Sequence, residues 1–277
     1  MTKKQRYTRN SFDCYRVKPN SRIVLRDWDA GDSHLFGKSE SKARQELDKL
    51  CEQLDDMQKV LYAENKHKIL IVLQGLDTAG KDSLIRHVFG PLNPQGIKVT
   101  SFKAPSEEDL AHDYLWRIHM AVPRAGEIAV FNRSHYEDIL IVAVHNLVSS
   151  KIWKKRYTHI NHFERMLTDE GTVILKFFLY IDKNEQKMRL QARLTKPHKR
   201  WKFQSSDLKE RKLWPQYIKA YESVLSKTST AYAPWYIIPS NKKWYRDFVV
   251  AHIVLKKLQA LKMRYPKPEN LKDIEII

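Results

Sequence analysis

The chain has 277 residues, of which 42% are hydrophobic, and this length and composition suit one or two globular domains with a full enzyme core. It is strongly basic, with 50 Lys and Arg against 32 Asp and Glu for a formal charge of +18, which indicates a polyanionic partner unless the protein is simply a basic soluble one. Its two cysteines are too few for a disulfide framework, no apolar run approaches the ~20 residues that cross a bilayer, and the N-terminus lacks the apolar core of a secretory signal, so we expect a reducing, cytoplasmic setting without membrane attachment.

The N-terminal part of the chain is polar and irregular in pattern. Between residues 3 and 26 it holds eight Lys or Arg and one Asp. We therefore expect a basic, irregular extension at 1–38 that precedes a single domain at 39–277. Polymer contact and disorder both remain open for the extension.

The first predicted helix covers about 39–64. Its apolar residues recur at spacings of three and four, which places them on one face of a helix: Ala43, Leu47, Leu50, Leu54, Met57 and Leu61. The stripe spans barely three heptads, so packing on the body of the protein is favoured over a coiled coil. The same helix could also serve a homo-oligomer.

Strand and helix signals alternate from residue 69 onward. Short apolar runs predict strands at 69–74, 97–102, 127–132, 173–180 and 235–239. Helices are expected at about 81–89, 107–122, 136–170 with a break near Ser149, 183–194 and 244–263. This alternation predicts an α/β fold with one parallel sheet that helices cover on both faces.

A glycine-containing segment, GLDTAGKD at 75–82, follows the first predicted strand and opens the next helix. It matches the G-x-x-x-x-G-K spacing of the Walker A motif. Inward-turned backbone N–H groups and the helix N-terminus favour an anion there, and a lysine adds a full positive charge. The segment predicts a phosphate-binding loop formed by Gly75, Thr78, Ala79, Gly80 and Lys81.

Two carboxylates belong to the same segment. Asp82 stands where such loops usually carry Ser or Thr, and Asp77 lies inside the loop. Acids beside phosphate are useful when they hold a metal ion or take a proton. For Asp82, a plain position at the start of a helix, where it favours the dipole, remains open.

The motifs together carry a family resemblance. In chain order they are GLDTAGKD, NPQGIKVTSFKAPS, DYLWR, FNRSHYED, KRWKF and YAPWYIIP. This series resembles family 2 of the polyphosphate kinases over roughly residues 15 to 260. The resemblance implies a P-loop kinase-like parallel sheet, similar to that of thymidylate kinase, flanked by helices and with a basic helical lid at about 183–214. It also implies reversible, Mg²⁺-dependent phosphoryl transfer between inorganic polyphosphate and nucleotides.

The resemblance assigns roles to residues near the loop. Asp77 would bind metal and act as a base, Lys81 would bridge phosphates during transfer, and Asp82 would help to hold metal. Arg133, at the end of the third strand, would grip phosphate. Asn132 stands where many members carry an Asp, so it is a weaker candidate for direct metal binding and could instead order a metal-bound water.

One further acid distinguishes subgroups of the family. Glu137 resembles the residue of members that phosphorylate nucleoside monophosphates as well as diphosphates, where it replaces an Asn. The implied role is to bind an additional metal ion when the shorter nucleotide leaves space. A plain acid at the start of a helix is the alternative.

Basic residues elsewhere are candidates for phosphate contacts. Lys103 follows the second strand, and Arg117 could bind phosphate, pack on Trp116 or pair with an acid. Between 183 and 202 the predicted lid holds eight Lys or Arg and one Glu. The lid candidates are Arg189 and Arg193, four residues apart as in a phosphate clamp, and Lys199 along a polymer track, with a solvated basic face as the alternative.

These features favour a polyphosphate:nucleotide phosphotransferase that acts on AMP and ADP and on guanine nucleotides. We find no nucleophile, so direct in-line transfer is expected. A nucleoside monophosphate kinase with ATP as donor is the alternative enzyme, although it needs no +18 surface. A nucleic-acid-binding protein is disfavoured, because no known binding motif is present and the acids of the loop would repel a phosphate backbone.

Overall fold

A five-stranded, all-parallel sheet forms the centre of the protein in the computed structural model, which describes residues 11–36 and 39–269. The strands are β1 (Lys68–Gln74), β2 (Ile97–Ser101), β3 (Ile128–Asn132), β4 (Thr172–Tyr180) and β5 (Trp235–Pro239). Their order across the sheet is β2-β3-β1-β4-β5. The five predicted strands and the parallel α/β fold are confirmed.

Helices connect the strands. They are α1 (Glu40–Glu64), α2 (Lys81–Leu84, continued by a π-helical turn at Ile85–Phe89), α3 (Glu107–Ala111), α4 (Trp116–His119), α5 (Glu137–Val144), α6 (Ser150–Trp153), α7 (Arg156–Asp169), α8 (Lys183–Thr195), α9 (Ser206–Lys212), α10 (Trp214–Thr228) and α11 (Lys243–Ala260). Short 3₁₀ turns lie at Phe12–Tyr15, Leu25–Asp27, Pro94–Gly96 and Pro197–Lys202. None of the helices within the described residues is long and apolar enough to cross a membrane.

The sheet has a hydrophobic core on each face, because side chains along a strand point to alternate sides. On β1, Ile71 and Leu73 pack towards α1 and α11, whereas Leu70 and Val72 pack towards α5, α7 and α10. The strand is apolar throughout since both of its faces are covered. The turns at the carboxyl ends of the strands are therefore held on a rigid support.

The apolar stripe of α1 packs on the body of the protein, as its pattern predicts. Ala43, Leu47, Leu54 and Leu61 are buried, and α11 is the main element that they face. Cys51 is buried on the same side and is a free thiol. The apolar face of α1 is thus largely covered by other parts of the same chain.

The helix expected at 107–122 is wrong as a continuous element. It is split into α3 and α4, because Asp113 forms a turn between them. The carboxylate of Asp113 accepts a hydrogen bond from the backbone N–H of Leu115 at 2.9 Å, and its carbonyl accepts one from Trp116 at 3.0 Å. This local side-chain turn competes with helix continuation. The predicted break near Ser149 is confirmed, since Ser149 precedes α6.

Residues 11–36 of the predicted extension pack against the sheet edge. The backbone N–H of Val17 donates to the carbonyl of Trp235 in β5 at 2.8 Å, and Tyr15, Val17 and Leu25 are buried. The most basic part, at 1–10, and residues 37–38 lie outside the described residues. The boundary at 38/39 stays a prediction.

A buried ion pair joins β4 to α7. Lys176 Nζ lies 2.6 Å from Glu164 Oε2, and both side chains are fully buried. The ammonium also donates to the Tyr136 hydroxyl at 2.8 Å and to the Thr228 carbonyl at 2.7 Å. All three donors of the lysine are thus used. Burial lowers the pKa of Lys176, against the opposing effect of Glu164.

Removal of the negative partner should therefore destabilise the protein. We expect Glu164→Gln to lower the free energy of unfolding by about 3–5 kcal/mol, because an uncompensated cation would remain in the core. The double variant Lys176→Met/Glu164→Gln should recover part of that loss. Denaturant unfolding measures both values.

A matched control is Asp169→Asn, which removes the carboxylate of an exposed pair with Arg165 on the same helix. It should cost less than about 1 kcal/mol. An equal decrease in the free energy of unfolding for Glu164→Gln and Asp169→Asn would show that loss of the buried carboxylate costs no more stability than loss of the exposed one.

Candidate active site

The loop between β1 and α2 needs glycine at two positions, Gly75 and Gly80. Thr78 and Gly80 have left-handed backbone angles, with φ of 69° and 101°. A Cβ on Gly80 would also collide with the guanidinium of Arg246, which lies against it. A Cβ on Gly75 would lie 2.9 Å from the carbonyl oxygen of Leu179. The sequence therefore permits a tight loop that larger residues would open.

Lys81 begins α2 and turns its side chain back into the loop. Its Nζ donates to the carbonyl of Gly75 at 2.7 Å, and the residue is buried. Burial and, to a smaller extent, the nearby charge of Arg133 lower the pKa of Lys81 to about 8, whereas Asp77 and Glu137 oppose the shift. An anion that binds beside Lys81 would stabilise the charged form of its buried ammonium group.

The turn after β3 meets the phosphate loop. Asn132 ends β3 opposite Leu73 of β1, and the next residue, Arg133, has a left-handed φ of 62°. Arg133 Nη2 lies 3.0 Å from Asp77 Oδ1, and Asn132 Nδ2 donates to Asp82 Oδ1 at 2.7 Å. Both carboxylates of the loop are thus bound by side chains of one neighbouring turn.

A third carboxylate lies on the other side of the arginine. Glu137, the first residue of α5, has its Oε2 3.8 Å from Arg133 Nη1. Burial raises the pKa of Glu137, while Arg133 and Lys81 oppose that rise. Three carboxylates, those of Asp77, Asp82 and Glu137, therefore share this site with two cations.

These three acids do not come together as a metal centre. Within residues 11–36 and 39–269, no group of three or more His, Cys, Asp or Glu side chains is arranged to hold a metal ion. Arg133 lies between Asp77 and Glu137, and Asn132 is bound to Asp82. The predicted set of metal ligands is adjacent in space but is engaged with protein partners in this structure.

Arg117 pairs with acidic residues, which is one of the alternatives that its sequence context left open. It lies 3.6 Å from Asp109 and 3.8 Å from Asp138, and it donates to the carbonyl of Lys103 at 3.0 Å. Its guanidinium also packs over the ring of Phe102. The side chain thus pairs with acids, whereas Lys103 is exposed.

The arginine pair of the lid differs from the expected open clamp. Arg189 donates to the carbonyls of Thr78 and Ala79 at 2.8 and 3.0 Å. Arg193 instead pairs with Asp207 at 2.8 Å. Spacing correctly placed both on α8, but their partners are protein groups rather than an open anion site. Lys199 lies half-exposed in the 3₁₀ turn Pro197–Lys202.

A pocket adjoins the loop, between it, α5 and the helices α8 to α10. Besides Asp77, Arg133 and Glu137, its walls include side chains that the sequence analysis did not single out: Gln186, Glu210, Trp214, Tyr217 and Tyr221. The three aromatic residues share one face of α10, because they are three and four positions apart. This spacing could have predicted the aromatic face of the helix from the sequence, but not the element against which that face packs.

The arrangement defines a class of protein. A phosphate loop at the carboxyl edge of a parallel sheet, with a buried lysine, a facing arginine and several carboxylates, supplies positioning and charge stabilisation rather than a covalent intermediate. The fold and the site are those of a P-loop kinase-like phosphotransferase.

Comparison with known proteins specifies the family. The model of the family Polyphosphate kinase 2 (PPK2) matches residues 37–266. The chain is 52% identical over 263 residues to the AMP/ADP-polyphosphate phosphotransferase of Meiothermus ruber, covering 95% of this chain and 98% of that one. It is 39% identical over 275 residues to the ADP-polyphosphate phosphotransferase of Rhodopseudomonas palustris, covering 95% of each.

A solved structure agrees with these matches. The crystal structure of polyphosphate kinase 2 from Arthrobacter aurescens has a TM-score of 0.88 and 39% identity, covering 94% of this chain and 95% of that one. The chain therefore belongs to the polyphosphate kinase 2 family. The family expected from the motifs and the expected fold are both confirmed.

The buried state of Lys81 leads to a pH prediction. Its pKa of about 8 lies below the ordinary 10.5, and a phosphate bound beside it should raise the pKa again. At about pH 9 the free lysine is mostly neutral and the bound one charged, so binding should take up protons and affinity should fall as pH rises through 8. Below about pH 7 both forms are charged, and no uptake by this lysine is expected.

Calorimetry of inorganic pyrophosphate binding, in buffers of different ionisation enthalpy, measures this uptake. The control variant Lys81→Met should lose it. Because pyrophosphate also titrates in this range, the decisive quantity is the difference between wild type and Lys81→Met. Equal proton uptake by the two at about pH 9 would contradict the assignment.

Proposed function

We propose that the chain catalyses reversible phosphoryl transfer from inorganic polyphosphate to AMP and ADP, giving ADP and ATP. The carrying observation is the loop at 75–82, with Lys81 inside it and the Asp77–Arg133 pair at its mouth, in a chain that aligns over 95% of its length with a relative named AMP/ADP-polyphosphate phosphotransferase. The family membership and the phosphate loop support the same chemistry.

The chain's own residues would act by holding and orienting phosphate. The loop amides and Lys81 would bind the phosphoryl group in transfer, and Arg133 would stabilise the charge that develops on its oxygens. Asp77, 3.0 Å from Arg133, would orient the accepting phosphate. We expect an incoming anion to compete with Asp77 for this guanidinium.

Charge balance supports a magnesium requirement. Three carboxylates face Lys81 and Arg133 at the loop. The two arginines bonded to the loop carbonyls, Arg189 and Arg246, are already paired with Glu185 and Asp247. A polyanionic substrate would therefore meet net repulsion without further positive charge. Asp77, Asp82 and Glu137 offer only oxygen donors, which suit Mg²⁺. Held by these carboxylates, Mg²⁺ would supply positive charge that neutralises phosphate oxygens during transfer.

The remaining assignments belong to the same proposal. We propose that 183–214 is the lid, with Arg193 and Lys199 along the path of the polymer and Lys103 and Arg117 near phosphate. Arg189, whose guanidinium is bonded to Glu185 and to the loop carbonyls, would support the phosphate loop. Guanine nucleotides would serve as acceptors beside the adenine ones. A homo-oligomer, a cytoplasmic location and the absence of a nucleic-acid partner remain proposals from the sequence.

The direct test replaces the phosphate donor. Purified protein with Mg²⁺ and AMP should form ADP when polyphosphate is supplied, and much less when ATP replaces it. Lys81→Ala should reduce turnover by at least about a hundredfold, since the charged group nearest the transferred phosphate is lost. Chromatography of the nucleotides measures both.

Two results would count against the proposal. Preference for ATP over polyphosphate would favour a nucleoside monophosphate kinase. Wild-type turnover in Lys81→Ala would move the chemistry away from the loop.

A second test concerns the choice of nucleotide. Glu137→Asn should lower kcat/KM for AMP about tenfold more than for ADP, because the carboxylate can bind an additional metal ion where the shorter nucleotide leaves space. Glu137→Gln keeps the side-chain length and removes only the charge, so it should behave like the Asn variant. Equal losses on both nucleotides would leave Glu137 without a role in selection.

A further inference from the structure

The carbonyl of Ala79, in the phosphate loop, accepts hydrogen bonds from two arginines. Arg246 Nη1 of α11 donates to it at 3.1 Å, and Arg189 Nη1 of α8 donates at 3.0 Å. The Arg246 side chain is fully buried, and that of Arg189 is 9% exposed. Two helices that are distant in sequence thus converge on one peptide unit of the loop.

The direction of that peptide unit decides what the loop can bind. In a planar trans peptide the carbonyl of one residue and the N–H of the next point in opposite directions. A carbonyl of Ala79 that is held towards the arginines therefore directs the N–H of Gly80 to the other side. Gly80 immediately precedes Lys81, so this N–H lies at the helix N-terminus, where amides bind phosphate.

The neighbouring peptide unit is fixed in a similar way. The carbonyl of Thr78 accepts a hydrogen bond from Arg189 at 2.8 Å, and the N–H of Ala79 donates to the carbonyl of Leu76 at 3.0 Å. Thr78 has a left-handed φ of 69°, a conformation that needs support from its surroundings. The arginines supply donors to carbonyls that would otherwise be buried without partners.

The guanidinium of Arg246 is itself held in one orientation. Asp247 Oδ1 accepts from Nε at 2.8 Å and from Nη2 at 2.6 Å, and Ser83 Oγ accepts from Nη2 at 3.0 Å. His87 Nδ1 lies 2.8 Å from the other carboxylate oxygen of Asp247. These hydrogen bonds fix the guanidinium so that its remaining nitrogen, Nη1, points at the loop.

Gly80 and Arg246 are mutually constrained. The guanidinium occupies the space that a Cβ on Gly80 would need, and Gly80 has a φ of 101°. The glycine therefore serves two purposes, since it permits the backbone angle and it lets a buried cation approach the loop backbone.

We infer that Arg246 is a positioning residue of the phosphate loop, which acts with Arg189 by holding the Ala79 carbonyl towards the buried guanidinium groups, so that the Gly80 amide faces the substrate phosphate. Arg246 touches the loop backbone and not the substrate. The inference rests on the proposed function for its turnover measurement, whereas its binding measurement needs only that the loop binds phosphate.

The test compares Arg246→Lys and Arg246→Met with wild type. The lysine keeps a charge but loses the planar fork, so it can restore only part of the geometry. Arg246→Met should lower kcat/KM for polyphosphate about a hundredfold, the loss expected when a reacting group shifts by about 1 Å. Arg246→Lys should recover part of this, and calorimetry should show weaker binding of inorganic tripolyphosphate in both variants.

A destabilised control separates positioning from general loss of stability. Val254→Ala removes buried side-chain volume from the same helix, away from the loop contacts. At a temperature where each variant is folded, as judged by thermal unfolding, Val254→Ala should keep wild-type binding and kcat/KM. If Arg246→Met does not fold, Arg246→Lys decides the question in the same assays.

The outcomes are distinguishable. Wild-type binding and turnover in a folded Arg246→Lys or Arg246→Met would overturn the inference. Equal losses in Val254→Ala would also overturn it, because stability alone would then explain the effect. If wild type binds tripolyphosphate but shows no polyphosphate-dependent turnover, the proposed function fails while the binding comparison still tests Arg246.

Discussion

Two side-chain contacts between neighbouring turns organise the site. Arg133 pairs with Asp77 at 3.0 Å, and Asn132 donates to Asp82 at 2.7 Å. The contacts are possible because β3 and β1 are adjacent parallel strands, whose carboxyl ends meet at one edge of the sheet. They bring two loops with left-handed residues into a fixed relation, and a rigid sheet holds that relation.

Buried charges behind this edge give the turn after β3 its support. Lys176 and Glu164 form a fully buried pair, and Tyr136 donates to Glu164 at 2.7 Å. His135 Nε2 lies 3.3 Å from the same carboxylate. Since Tyr136 and His135 lie between Arg133 and Glu137 in the chain, the core network fixes the segment that carries both site residues. A buried pair of this kind is weak evidence for added stability, although removal of one partner alone is costly.

The sequence predicted those parts of the structure whose cause is local. Buried strands are recognisable because both faces are apolar, and the phosphate loop is recognisable because glycine spacing and a lysine must occur together between a strand and a helix. The interruption at Asp113 was missed, although an Asp that can bond the backbone two residues on is a local signal. Helix α10 was missed, although Trp214, Tyr217, Tyr221 and Val224 recur at the spacings of three and four that mark one helix face.

Long-range contacts were beyond the sequence. Arg189 and Arg193 are correctly placed on one helix, but nothing in a four-residue spacing indicates that one binds loop carbonyls and the other Asp207. The importance of Arg246 is likewise invisible, because its partners on the loop are far away in the chain and are partly backbone atoms. Partner identity for a buried cation is a tertiary property, which periodicity and motif spacing do not encode.

The net charge of the whole chain is positive, whereas the charge at the phosphate loop is negative. The whole chain carries +18, which attracts a polyanion over distances comparable with the Debye length. At the loop itself, three carboxylates face Lys81 and Arg133, while Arg189 and Arg246 are already paired with Glu185 and Asp247. Attraction by the surface would therefore not by itself place phosphate at the loop. Under the proposed function, a basic surface would concentrate the polyanion, whereas the acidic centre would make transfer depend on an added cation and on amides held at the correct angle. That separation would account for the acids at the loop in a protein so rich in Lys and Arg.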